Sequence, residues 1–172
     1  MARTIAYMLL FLSTAVLQLC LFDNLSVSIY LDPLVYVVFI ALLPLDIPAV
    51  ALLGLGLVTG VAMDFMMGGA GINTAATLLV AFMRPGLLQM LYRREDLREG
   101  GIPSPERLGR RVFFRYLLVM VLLHHAVFFA LEALSWAHVL RTLLRIAVSS
   151  AVTLFFAWII SRIFTSRSIV RP

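Results

Sequence analysis

The chain has no lysine, one cysteine and little charge of either sign. Charged residues make up 13% of its 172 positions, 62% are hydrophobic, and the mean hydropathy is +1.02. Soluble globular domains carry an apolar share of about 45–50%, so a water-soluble fold is excluded. The lone Cys20 rules out an internal disulfide and any cysteine-based metal cluster, and it reads as a small apolar filler. With lysine absent, the net charge of +5 is set by arginine against nine acids. The arginines gather beside apolar runs, a pattern that signals membrane orientation rather than a nucleic-acid footprint.

What fills the chain is apolar sequence. At roughly 20 residues per crossing, the expectation is an all-α polytopic integral membrane helix bundle forming one domain, residues 1–172, with no soluble domain attached. About six transmembrane helices are expected, at about 5–21, 33–45, 48–67, 73–92, 107–134 and 139–164, with a loop at about 93–111. The first stretch carries Arg3 and an apolar run like a signal peptide, but no small-x-small cleavage pattern follows. Bulky Leu19 also stands before Cys20, where a lipoprotein site needs a small residue, so this stretch reads as helix one.

Asp32-Pro33 is a helix-start signal: a capping side chain, then a proline where its missing N–H does no harm. Helix two then reaches only about Leu43 before the prolines of Pro44-Leu45-Asp46-Ile47-Pro48. At about 1.5 Å per residue it falls short of a hydrocarbon core of roughly 30 Å, so it must be short, tilted or continued through the prolines.

In helix three, Gly56, Gly60, Asp64 and Gly68 recur every fourth residue and form one stripe where a neighbouring helix or a partner can approach the backbone closely. Asp64 has two readings, a carboxylate facing a partner inside the bundle or one lying wet near the helix end. Gly68-Gly69-Ala70-Gly71 then makes a tight turn into helix four, which is interrupted at Arg84-Pro85 and followed by an amphipathic stretch with charges from Arg93 to Glu99. Ser104-Pro105-Glu106 restarts a helix.

The basic cluster from Arg93 to Arg115 places its loop in the cytoplasm, and alternation then places both termini there, with Arg3, Arg162, Arg167 and Arg171 on the same side. Trp136 and the Phe22-Asp23-Asn24 stretch mark the far interface. Near that interface Asp64, Glu132, Arg141 and Arg145 are expected to form an intramembrane charge cluster, although Arg141 reads equally well as snorkelling to the surface. Asp46 and Arg84 are expected to form a second pair on the cytoplasmic side. His124-His125 cannot grip one ion, because adjacent helical residues point about 100° apart. Ser149 and His125 fit no hydrolase motif, so no catalytic, cofactor or metal site is expected.

A short Pro-bounded second helix followed by GLVTGVAMDFMMGGAGINTAATLLVAFMRP resembles the rod shape-determining protein MreD family. The similarity covers most of the chain as architecture and is concentrated as sequence from about Pro33 to Pro85, in Gly60-x-x-x-Asp64, Gly71 and the helix ending at Arg84-Pro85. The resemblance implies a non-enzymatic component of the bacterial inner membrane that binds MreC, and through it the peptidoglycan synthases and the MreB cytoskeleton. The family also looks like the membrane-embedded substrate-binding subunit of energy-coupling-factor transporters. That likeness supplies a competing expectation, a small-molecule-binding subunit of a membrane transporter.

Overall fold

A computed structural model describes residues 2–22, 31–93, 95, 97, 100–134 and 139–166, and among these every regular element is helical. Helix α1 (Ala2–Leu17) runs into a π-helical turn (Gln18–Phe22); α2 is Val37–Ala41, α3 Ala49–Met67 and α4 Ile72–Leu91. A short α5 (Pro105–Leu108) leads into α6 (Arg110–Ala133), and α7 is Val139–Ser166. Asp23, Asn24, Arg94, Asp96, Arg98, Glu99, Trp136, Arg167 and Arg171 lie outside the described residues.

Four helices, α3, α4, α6 and α7, are long and apolar enough to cross a membrane, and α1 contributes a shorter apolar stretch, Thr4–Cys20. The expected second span differs. Only Val37–Ala41 are α-helical there, while residues 31–34 are not. This resolves the length problem posed by the prolines. His125 touches Leu34 and Tyr116 touches Ala41, and the nine residues between those two positions of α6 rise about 13.5 Å. Seven residues of the segment cover that distance, more than a helix of the same length would.

Helix α6 is the centre of the bundle: half of its apolar window is buried, against 22% for α7 and 28% for α3. It packs against both α4 and α7, while α3 rests chiefly on α4. The partly extended segment sits between these elements. Leu34 to Leu43 are all at most 5% exposed; Val35 and Val37 to Leu43 form the core with Leu52, Val80, Phe113, Leu117 and Met120, while Leu34 and Tyr36 pack with Met63, Ala76 and Phe129. Its two ends lie at opposite ends of the bundle: Asp32 beside Ser149, and Leu43 and Pro44 beside Arg84.

Glycine explains the α3–α4 seam. A Cβ on Gly60 would lie 2.5 Å from the Thr74 Cα, and one on Gly56 would lie 2.8 Å from the Ala81 Cβ. Gly68 faces open space instead; its φ of 70° ends α3 in the left-handed region, so it serves the turn rather than the seam. Helix α4 runs unbroken through Pro85 to Leu91, where the sequence suggested an interruption.

Replacing Gly60 by leucine forces two backbones apart and is expected to cost at least the 1–3 kcal/mol typical of overpacking. Gly54→Ala, with nothing within 4 Å of its Cβ position, should leave stability equal or higher. Thermal unfolding in mild detergent checks both; equal melting of Gly60→Leu and the parent would refute the seam.

Candidate functional site

A backbone that is not helical has free N–H and C=O groups, and in an apolar interior each needs a partner. Residues 31–44 obtain theirs partly from their own turns and partly from side chains on four surrounding helical elements. At the end bearing the glycine turn, buried Gln18 clamps the chain from both sides: its amide nitrogen donates to Pro33 O at 3.1 Å and its oxygen accepts from Val35 N–H at 2.7 Å. Ser149 Oγ accepts from Asp32 N–H at 3.0 Å. His125 Nε2 accepts from Leu34 N–H at 3.3 Å.

The His125 contacts also assign its tautomer. A backbone amide can only donate, so Nε2 is bare, and Nδ1–H donates to Val121 O at 2.9 Å. Thr153 Oγ1, 3.1 Å from Nε2, donates to the same nitrogen. Ser149 and His125 are therefore each occupied by a different amide of the segment.

In the middle, the Tyr36 hydroxyl donates to Asn73 Oδ1 at 2.7 Å and lies 3.1 Å from His124 Nε2, which donates to it in turn. Asn73 Nδ2 donates onward to Asp64 Oδ1 at 3.1 Å. Hydrogens along this chain thus all point toward the carboxylate. Asp64 also accepts from the N–H groups of Asn73 at 3.0 Å and Thr74 at 2.9 Å, and from the Thr74 hydroxyl. These are orphan donors of the first turn of α4, whose N-cap, Gly71, has no side chain to offer. The helix terminus stabilises the negative charge. Asp64 is accordingly a cap on α4, not a member of the expected charge cluster.

At the Arg-rich end, Arg84 is 1% exposed and bonds no acid. Its Nε donates to the Tyr116 hydroxyl at 2.9 Å, Nη1 to Pro44 O at 3.3 Å and Nη2 to Leu43 O. The Tyr116 hydroxyl in turn donates to Ala41 O at 2.8 Å. The guanidinium thus neutralises carbonyls just past α2, which carry partial negative charge. The expected Asp46–Arg84 pair does not form; Asp46 packs beside Gly100, next to the bond from Leu45 N–H to Gly101 O.

The expected charge cluster of Asp64, Glu132, Arg141 and Arg145 is smaller than the sequence suggested. Arg145 meets Glu132 through both guanidinium nitrogens, at 2.8 and 3.2 Å, approaches Asp32 at 3.8 Å, and lies 4.5 Å over the Phe129 ring. Arg141 is exposed further along α7. A recess of about 390 Å³ between the ends of α6 and α7 is lined by Ala130, Leu134, Thr142 and Ile146, and not by Asp64, Glu132 or Arg145.

Sequence reasoning singled out Asp64 and Arg84 but missed Gln18, Tyr36, Asn73 and Tyr116 as their collaborators. One signal was available. A Pro-bounded apolar stretch too short to span as a helix must leave backbone groups for other side chains to meet, and Gln18 is the amide in helix one. In comparisons with known proteins, the chain matches no family model, no curated protein and no solved structure. The fold and its polar centre define a helical membrane protein built around a partly unwound internal segment.

Two substitutions test this centre. Arg84→Met strands two carbonyls and the Tyr116 hydroxyl and should cost about 3–5 kcal/mol, the range for breaking a buried charged contact, with Arg84→Lys recovering only part because one ammonium cannot reach all three acceptors. Asp64→Ala should cost about 1–2 kcal/mol, as loss of a helix cap does. Unfolding in mixed micelles measures both, and a neutral Arg84→Met would overturn the assignment.

Proposed function

We propose that the protein is a non-enzymatic scaffold of the bacterial cell-elongation machinery, a member of the MreD type that holds MreC in the inner membrane. On this reading it has six crossings, the segment at residues 31–44 counting as one. Both termini and the Arg-rich loop are cytoplasmic, and the protein supports rod shape and lateral peptidoglycan synthesis through MreC, with the synthases and MreB engaged indirectly.

The observation that carries the reading is that the polar side chains at the bundle centre hold the chain's own backbone. Gln18, Arg84, Tyr116, His125 and Ser149 bond residues 31–44, so these groups are not free to bind a ligand. The outward faces are apolar. On α3, Gly54, Val58, Val61 and Phe65 share one exposed face, with Phe65 91% exposed. Such a face accepts a partner's transmembrane helix by close packing, and the missing side chain at Gly54 is where that helix would come nearest.

Co-expression with MreC and purification in gentle detergent should recover a complex. Gly54→Trp and Val61→Trp, at a position with open space around its Cβ and at an exposed side chain, should reduce recovered MreC at least tenfold while leaving the melting temperature unchanged. If no complex forms and the purified protein instead carries a tightly held small molecule, it is the subunit of a transporter.

A further inference from the structure

The Arg-rich end of α6 carries charge that the bundle itself does not use. Arg110, Arg111 and Arg115 are exposed, and among the described residues no carboxylate lies within ion-pair distance of any of them. Glu106, the nearest acid in sequence among those described with side chains on α5 and α6, is bonded to Arg162 of α7. Arg111 and Arg115 stand one turn apart on one face of α6. Toward the middle of the helix the same face continues with Leu118 and the exposed Leu122.

Beside that face, aromatic rings close the seam between α6 and α7. Phe114 is half-exposed and meets Trp158 edge-on at 6.2 Å, and Phe113 supports the same indole from behind at 6.0 Å. Indole rings favour the depth of the lipid headgroup, so Trp158 marks the level at which polar and apolar surroundings meet. From the helix end inward the surface therefore reads two unpaired guanidinium groups, then aromatic rings, then leucines.

We propose that this surface is a binding site for one anionic phospholipid. The phosphodiester sits on Arg111 and Arg115, whose planar donor arrays match its oxygens. The glycerol region lies at the Phe114–Trp158 seam, and an acyl chain follows Leu118 and Leu122. A zwitterionic lipid presents the same phosphate with a cation attached, which the uncompensated arginines repel. The ligand is therefore selected by net charge as well as by phosphate, and held by its chains as well as its headgroup. No protein partner is required.

The full-length protein, delipidated in neutral detergent, is titrated with phosphatidylglycerol and with phosphatidylcholine and followed by native mass spectrometry. Phosphatidylglycerol should be retained about thirtyfold better, the scale set by two arginines near a lipid headgroup. The Arg111→Gln/Arg115→Gln double variant should fall to parity, whereas Arg141→Gln, exposed at the opposite end of the bundle, should keep the preference. In a Trp136→Phe background, where Trp158 is the remaining tryptophan, phosphatidylglycerol brominated on its acyl chains should quench fluorescence more strongly than the brominated choline lipid. Equal retention of the two lipids by the parent protein, or a preference that survives the double variant, would overturn the proposal. So would displacement of phosphatidylglycerol by millimolar inorganic phosphate, which would mark a site for a free anion.

Discussion

An amide or carbonyl left without a partner in an apolar interior costs several kcal/mol, whereas the whole net stability of a folded domain is about 5–15 kcal/mol. A continuous helix avoids the problem by bonding to itself. Residues 31–44 cannot, because prolines at both ends and the need to cover distance leave part of the stretch outside any helix. The remaining architecture meets that need: Gln18 from the end of the first helix, Ser149 from the last, and Arg84, Tyr116 and His125 from the two helices between.

The same constraint explains why the central helix is α6 and why its polar residues lie where they do. His125 and Tyr116 are buried on its inner surface at the heights of the two ends of the buried segment, and His124 reaches Tyr36 between them. The α3–α4 hairpin is organised differently. Its seam relies on missing side chains, Gly56 and Gly60, and its tip on Asp64 capping the first turn of α4. One half of the molecule is held by specific polar pairing, the other by close backbone packing.

The membrane class and the long helices were legible in the sequence because burial in lipid requires little more than an apolar run of sufficient length. The roles of the polar residues were not. An acid and an arginine in one apolar stretch suggest mutual pairing, yet Asp64 is occupied by amides of α4 and Arg84 by carbonyls past α2. Bonds from a side chain to a distant backbone have no period and no fixed spacing; here the partners are between 9 and 117 positions apart. Asp32-Pro33 likewise carries the composition of a helix start, but Gln18 binds Pro33 O and Val35 N–H, groups that a helix beginning there would have engaged at its first turn.

The order in which a chain is made gives the unwound segment a further consequence. Synthesis runs from the N-terminus, and residues 31–44 emerge well before Arg84, Tyr116, His125 and Ser149 exist. The hairpin of α3 and α4 closes through near neighbours as soon as it is inserted, whereas the amide of Asp32 waits 117 positions for its acceptor. Seating of the segment is therefore completed only when the last helix supplies Ser149.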